Sequence, residues 1–269
     1  MEVEFWNTEL FFASFDNAGD AFYFCGASTL DEIRDRMRQI NQGFRLTPPT
    51  PPTPPPPPPP PASPKNANKM PEILFPEGIR DFLVFDTETT GLSPAIVCQL
   101  AYITVEGGKI TTEYDQILKL PTGARISKQA QNVHGISNDD CSKSGVPASE
   151  ALGTFAMTCA RILASGGRIV AHNSKFDVRA MRETRLAHGM IDCAENLTLE
   201  DNDAFCTMRE SKSHSPLIDR AGRQKVFKNE ELYKHFYETL PEWARLHCAI
   251  DDVRVTLLNY TSGVKRGWW

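Results

Sequence analysis

Phe82-Leu83-Val84-Phe85-Asp86-Thr87-Glu88-Thr89-Thr90-Gly91 is the stretch that decides the fold. Four apolar residues in an unbroken run suit a short strand buried on both faces. Two carboxylates then follow at i and i+2, and in a strand that spacing turns both side chains to one face. Like charges at the end of a buried strand repel each other and resist losing water. A bound divalent cation removes that conflict, and hard oxygen ligands such as Asp86 and Glu88 suit Mg²⁺ or Mn²⁺. The bland alternative is a charged strand end that faces solvent.

Two later stretches weigh against the bland alternative. They are Val170-Ala171-His172-Asn173-Ser174-Lys175-Phe176-Asp177 and Leu246-His247-Cys248-Ala249-Ile250-Asp251-Asp252. The order Asp-x-Glu, His-Asn-x-x-Phe-Asp, His-x-x-x-x-Asp resembles the DnaQ-like 3′–5′ exonucleases of the DEDD superfamily, over about residues 80 to 260. Val133-His134-Gly135-Ile136-Ser137 and Cys206-Thr207-Met208 add to the resemblance. It implies a ribonuclease-H-like fold and two-metal hydrolysis of phosphodiester bonds in DNA or RNA from the 3′ end, releasing 5′-mononucleotides.

On this resemblance the candidate metal ligands are Asp86, Glu88, Asp177 and Asp252, with Asp86 bridging two Mg²⁺ or Mn²⁺ ions. Four carboxylates can hold two hard dications and still leave positions for water and phosphate. His247 is the candidate general base, since a neutral imidazole can take the proton of an attacking water. In the superfamily's tyrosine branch the base stands four residues before the last aspartate. Cys248 occupies that position here, so the chain resembles the histidine branch. Residues i and i+5 lie about 140° apart on a helix, which puts His247 ahead of the helix and Asp252 on its first turns. Asp251 is the rival of Asp252, pointing roughly 100° away. The histidine spacing and the apolar stripe Ala249, Ile250, Val253 and Leu257 favour Asp252.

The resemblance also makes Thr89, Thr90 and Leu92 contacts of the 3′-terminal nucleotide, with His134, His172, Asn173 and Phe176 lining the same cleft. Phe176 could stack on a base, which suits a single-stranded 3′ end. Its ordinary alternative is a core residue that anchors its helix, and for His134 it is a turn residue before Gly135.

The 269 residues allow one domain with an appendage, or two small ones. At 41% hydrophobic and 23% charged, the chain can build a core. A net charge of −5 does not advertise a nucleic-acid binder, although bound cations can meet a phosphate directly. The seven cysteines are odd in number and form no C-x-x-C pair, which implies free thiols in a reducing, intracellular compartment. No apolar run reaches membrane-spanning length, and the start Met1-Glu2-Val3-Glu4 does not read as a signal peptide.

Residues 1–46 read as a small α+β unit. Aromatic runs flank Asp16-Asn17-Ala18-Gly19-Asp20 as in a hairpin, and a helix with the capping box Thr29-Leu30-Asp31-Glu32 follows. Residues 47–70 are a proline-rich linker with an unbroken run from Pro54 to Pro61. As polyproline II it would span roughly 50 Å and could offer a ligand to SH3 or WW domains, though nothing basic or aromatic flanks it. Residues 71–263 read as the exonuclease domain and 264–269 as a tail.

Within that domain strands are expected at 82–85, 96–105, 109–120, 168–171 and 204–208. Helices are expected near 127–133, 148–164, 176–188, 229–237 and 249–260. Residues 192–203 read as an acidic loop and 211–228 as a polar, basic one. Strands first, then strands alternating with helices, predict an α/β fold with a mixed five-stranded sheet between helices. Two other readings remain open: a ribonuclease-H-like endonuclease, and a proline-rich scaffold carrying an inert nuclease fold.

Overall fold

A computed structural model describes residues 73–190, 199 and 203–269. The expected N-terminal unit, the proline linker and most of the acidic 192–203 loop lie outside the described residues.

Five strands form one mixed sheet in the order β3-β2-β1-β4-β5. They are β1 (Phe82–Thr89), β2 (Val97–Glu106), β3 (Lys109–Ile117), β4 (Arg168–Ala171) and β5 (Ala204–Cys206). β1 to β3 form an antiparallel meander, closed at Gly107-Gly108, where both glycines adopt the left-handed φ that such a turn requires. β4 runs parallel to β1, and β5 parallel to β4. The helices are α1 (Lys128–His134), α2 (Asn138–Ser144), α3 (Ala148–Ala164), α4 (Ser174–Ala187), α5 (Thr207–Glu210), α6 (Asn229–Tyr237) and α7 (Ala249–Lys265).

The alternation of β1 assigns its side chains to two cores. Leu83 and Phe85 belong to the core that includes Leu152, Phe155 and Ile162 of α3 and Val178 and Met181 of α4. Phe82 and Val84 join Ala249, Val253, Leu257 and Tyr260 of α7 in the other. Phe82 to Phe85 are all fully buried, as a strand covered on both faces requires. By the same parity Asp86 and Glu88 continue the α7 face, while Thr87 turns toward α4.

Several boundaries differ from expectation. β3 stops at Ile117, and Leu118 instead forms an isolated parallel bridge with Val146. β5 ends at Cys206, because Thr207 already begins α5. Helix α2 was not expected: its amphipathic pattern is short, with Cys141 its one buried residue, but Ser137 and Asp140 form a capping box that holds its first turn. Residues 264–269 are not a free tail. α7 continues to Lys265, and the Trp269 indole packs on Phe205 and Tyr260 and donates to the Tyr260 carbonyl at 3.0 Å. Gly263 leaves room for that ring, since a Cβ there would lie 1.9 Å from it. Two indoles bury too much apolar surface to remain in water. Among the described residues no helix is long and apolar enough to cross a membrane.

Candidate active site

β4 runs parallel to β1 and ends at Ala171, while β1 continues to Thr89, and α4 starts three residues beyond Ala171. Asp177 is therefore carried on the first turn of α4 to the carboxyl end of β1, where open α/β sheets place their ligands. α7 crosses the other face and delivers Asp252 to the same end of the strand. Carboxylate oxygens of Asp86, Glu88 and Asp252 all lie within 4.8 Å of one another. Asp177 approaches from the opposite layer. Thr87 fixes it, donating its amide at 3.1 Å and its hydroxyl at 2.7 Å to one carboxylate oxygen. Thr87 was not singled out in the sequence, although its parity already turns it away from Asp86 and Glu88.

Burial and mutual repulsion act together on this group. Asp86 is pushed well above the usual carboxylate range, first by lost hydration and then by Asp177, Asp252 and Glu88. Glu88 rises to about 8 through burial and then through the charges of Asp252 and Asp177. Burial raises Asp177 to about 7, against the lowering effect of the Thr87 hydrogen bonds. Asp252 rises to about 6 by burial, restrained by the amide of His247. Such a set is poorly placed to ionise alone and well suited to a hard divalent cation, which would let all the oxygens ionise and act as ligands.

His247 stands just ahead of α7, whose N-cap is Cys248. It is exposed, adopts a left-handed φ of 63°, and donates its backbone amide to Asp252 Oδ2 at 2.8 Å. Asp251 does not join the acidic group. It is buried and accepts hydrogen bonds from Arg245 and Arg254. Asn229 supports the Asp252 turn by donating to its backbone carbonyl at 3.1 Å.

An open cleft of about 940 Å³ is lined by Glu88, Thr89, Thr90, Leu92, His134 and Phe176, and also by Arg125, Ser127 and Gln129. Leu92 is 76% exposed, an apolar side chain held out over this cleft. Its loop is tied to α4: Arg179 donates to the Leu92 carbonyl at 3.1 Å and lies over the Phe176 ring, and Glu183 accepts the Ala95 amide at 2.5 Å. His134 lines the cleft with both ring nitrogens engaged. Nδ1 accepts the Ile136 amide at 3.0 Å, so Nε2 carries the proton and donates to the Thr89 carbonyl at 3.2 Å. Burial keeps its pKa below the ordinary histidine value.

Two of the candidate substrate contacts lie outside this cleft. Asn173 is exposed in an adjoining groove with Phe176, Lys175 and Arg179. His172 does not line the cleft. Its Nε2 donates to the Phe227 carbonyl at 3.1 Å and its Nδ1 accepts the Thr207 hydroxyl at 2.9 Å, and burial lowers it to about 4. It therefore ties β4 to α5 and to the segment that leads into α6.

A mixed sheet in this order, with acidic side chains gathered where its central strand ends, is the ribonuclease-H-like architecture of an exonuclease. A family model described as Exonuclease (RNase T) matches residues 83–260, and the chain belongs to that family. Its fold is similar to that of E. coli Exonuclease I in complex with a dT13 oligonucleotide, at 19% identity and a TM-score of 0.51, covering 70% of this chain and 41% of that one. A 3′-exonuclease with 3′-end-specific recognition of a histone mRNA stem-loop is similar at 10% identity and a TM-score of 0.51, covering 70% of this chain and 83% of that one. Exonuclease I from Methylocaldum szegediense gives 19% identity and a TM-score of 0.50, covering 70% and 41%. The chain spans about two fifths of these Exonuclease I chains. A search of curated proteins finds no match.

Proposed function

We propose that the chain is a divalent-metal-dependent 3′–5′ exonuclease that hydrolyses nucleic-acid phosphodiester bonds and releases 5′-mononucleotides. The observation that carries this reading is the convergence of Asp86, Glu88 and Asp252 within 4.8 Å, with Asp177 held beside them by Thr87. Mg²⁺ or Mn²⁺ ions bound there would activate the attacking water and neutralise charge at the phosphate and the leaving oxygen. Asp86, Glu88, Asp177 and Asp252 act as their ligands. His247 accepts the proton of the attacking water at an imidazole nitrogen. Thr89, Thr90 and Leu92 hold the terminal nucleotide, and Phe176 offers a ring to a base. Nucleic acid as partner is supported by membership of the exonuclease family and by the basic segment 211–228, which carries Lys212, Arg220, Arg223, Lys225 and Lys228, although Arg223 pairs with Asp219, Lys225 with Glu231 and Lys228 with Glu230.

Metal binding gives a direct test. Titrating the metal-free protein with Mn²⁺ should show tight saturable binding, and Asp86→Ala should abolish both that binding and nuclease activity. Activity of the Asp86→Ala variant at wild-type level would end the proposal.

A further inference from the structure

α7 opens with two consecutive carboxylates, and only the second joins the acidic group. The first, Asp251, is 2% exposed, yet three donors converge on it. Arg245 gives its backbone amide at 3.2 Å and its Nε at 2.9 Å to Oδ2, and Arg254 gives Nη1 at 2.9 Å to Oδ1. Arg254 also pairs with Glu113 on β3, so the carboxylate is braced against the sheet. Asp252, pointing about 100° away on the helix, accepts the amide of His247. Between these anchors the chain makes a single turn, closed by the Cys248 amide on the Arg245 carbonyl at 3.2 Å. His247 sits inside that turn with the left-handed φ that residues bearing a Cβ rarely adopt. A residue in that conformation persists where its surroundings over-determine it.

We infer that Arg245 and Asp251 are positioning residues: their pairing holds the 245–248 turn closed and so aims the His247 imidazole at the site of the attacking water. The inference rests on the reading of His247 as general base. Asp251 and Asp252 then divide the work, one fixing the start of the turn and the other its end. A rigid tether matters because misplacing a reacting group by about an ångström can cost on the order of a hundredfold in rate. The Arg245 side chain is largely exposed, so removing it leaves the buried Asp251 paired with Arg254 and the fold intact.

The experiment uses the full chain and compares wild type with Arg245→Ala, Arg245→Lys, His247→Ala and the double variant Arg245→Ala/His247→Ala. Arg245→Ala should lower kcat about tenfold or more with KM and Mn²⁺ affinity unchanged. Hydrogen exchange of the His247 and Cys248 amides should accelerate about tenfold, while the α7 amides from Val253 to Tyr260 keep their protection. Arg245→Lys should recover part of both losses. In the His247→Ala background, Arg245→Ala should cost nothing further. Unchanged kcat in Arg245→Ala, a loss of kcat without faster exchange in the turn, or an equal loss in the His247→Ala background would overturn the positioning role alone. If His247→Ala by itself costs no turnover, the general base and its positioning fall together.

Discussion

Glu88, Asp177 and Asp252 are raised to about 8, 7 and 6 because each is buried, and the charge of Asp252 adds to the rise of Glu88 and Asp177. Each therefore binds its proton more tightly in the folded chain than in the unfolded one. The metal-free protein loses stability as pH rises from the ordinary carboxylate range near 4 toward 8, where the unfolded chain has already released these protons. Thermal unfolding of metal-free protein should give a Tm lower at pH 8 than at pH 5 by roughly 5 °C or more. Mn²⁺ should raise Tm more at pH 8 than at pH 5. Glu88→Gln should reverse part of the metal-free loss at pH 8 and blunt the Mn²⁺ response, and a Tm independent of both would show that the carboxylates do not form one site. His247→Ala is expected to lower kcat by ~10²–10⁴-fold while Mn²⁺ still binds. Cys248→Ala serves as the control, and a larger loss from it at matched folding would move water activation away from His247.

β1 and α7 carry the carboxylates of the candidate site, Asp86, Glu88 and Asp252, and both elements are legible in the sequence. Unbroken hydrophobicity set the burial of β1, period two set the shared face of Asp86 and Glu88, and the apolar stripe of α7 chose Asp252 over Asp251. Less legible was what each polar side chain bonds to, because tertiary contacts choose its partners among many carbonyls and amides. His172 shows this best: as a residue type it suits a nucleotide contact, yet β4 places it between Thr207 and Phe227, away from the cleft. His172→Ala should destabilise the fold by about 2 kcal/mol, since it strips partners from a buried hydroxyl and carbonyl, and should leave the kcat of the folded fraction within a few-fold of wild type. Denaturant unfolding and active-site-normalised kinetics check both halves. A hundredfold loss of kcat without loss of stability would return His172 to the cleft. Helix α2 was missed for a related reason. Its stability comes from the Ser137–Asp140 capping box and one buried cysteine, with too little apolar period to be read.

Taken as a whole, the chain is acidic while its proposed substrate is a polyanion, so catalysis has to rest on bound cations and on local basic segments such as 211–228. All the proposed ligands lie after the proline tract in the sequence. A fragment beginning near Asn66 should therefore fold and cut at close to the full-chain rate, and a folded but inactive fragment would bring residues 1–65 into the active site. These carboxylates are proposed to process nucleic acid from a free 3′ end. That is tested most directly by incubating the 269-residue chain and Mn²⁺ with linear and circular single strands of one sequence, in DNA and in RNA, and identifying the products. The expected products are 5′-mononucleotides from at least one linear strand, with progressive shortening from its 3′ end, no cutting of circles, and no product with Asp86→Ala. Efficient cleavage of circular strands, or shortening from the 5′ end, would contradict it.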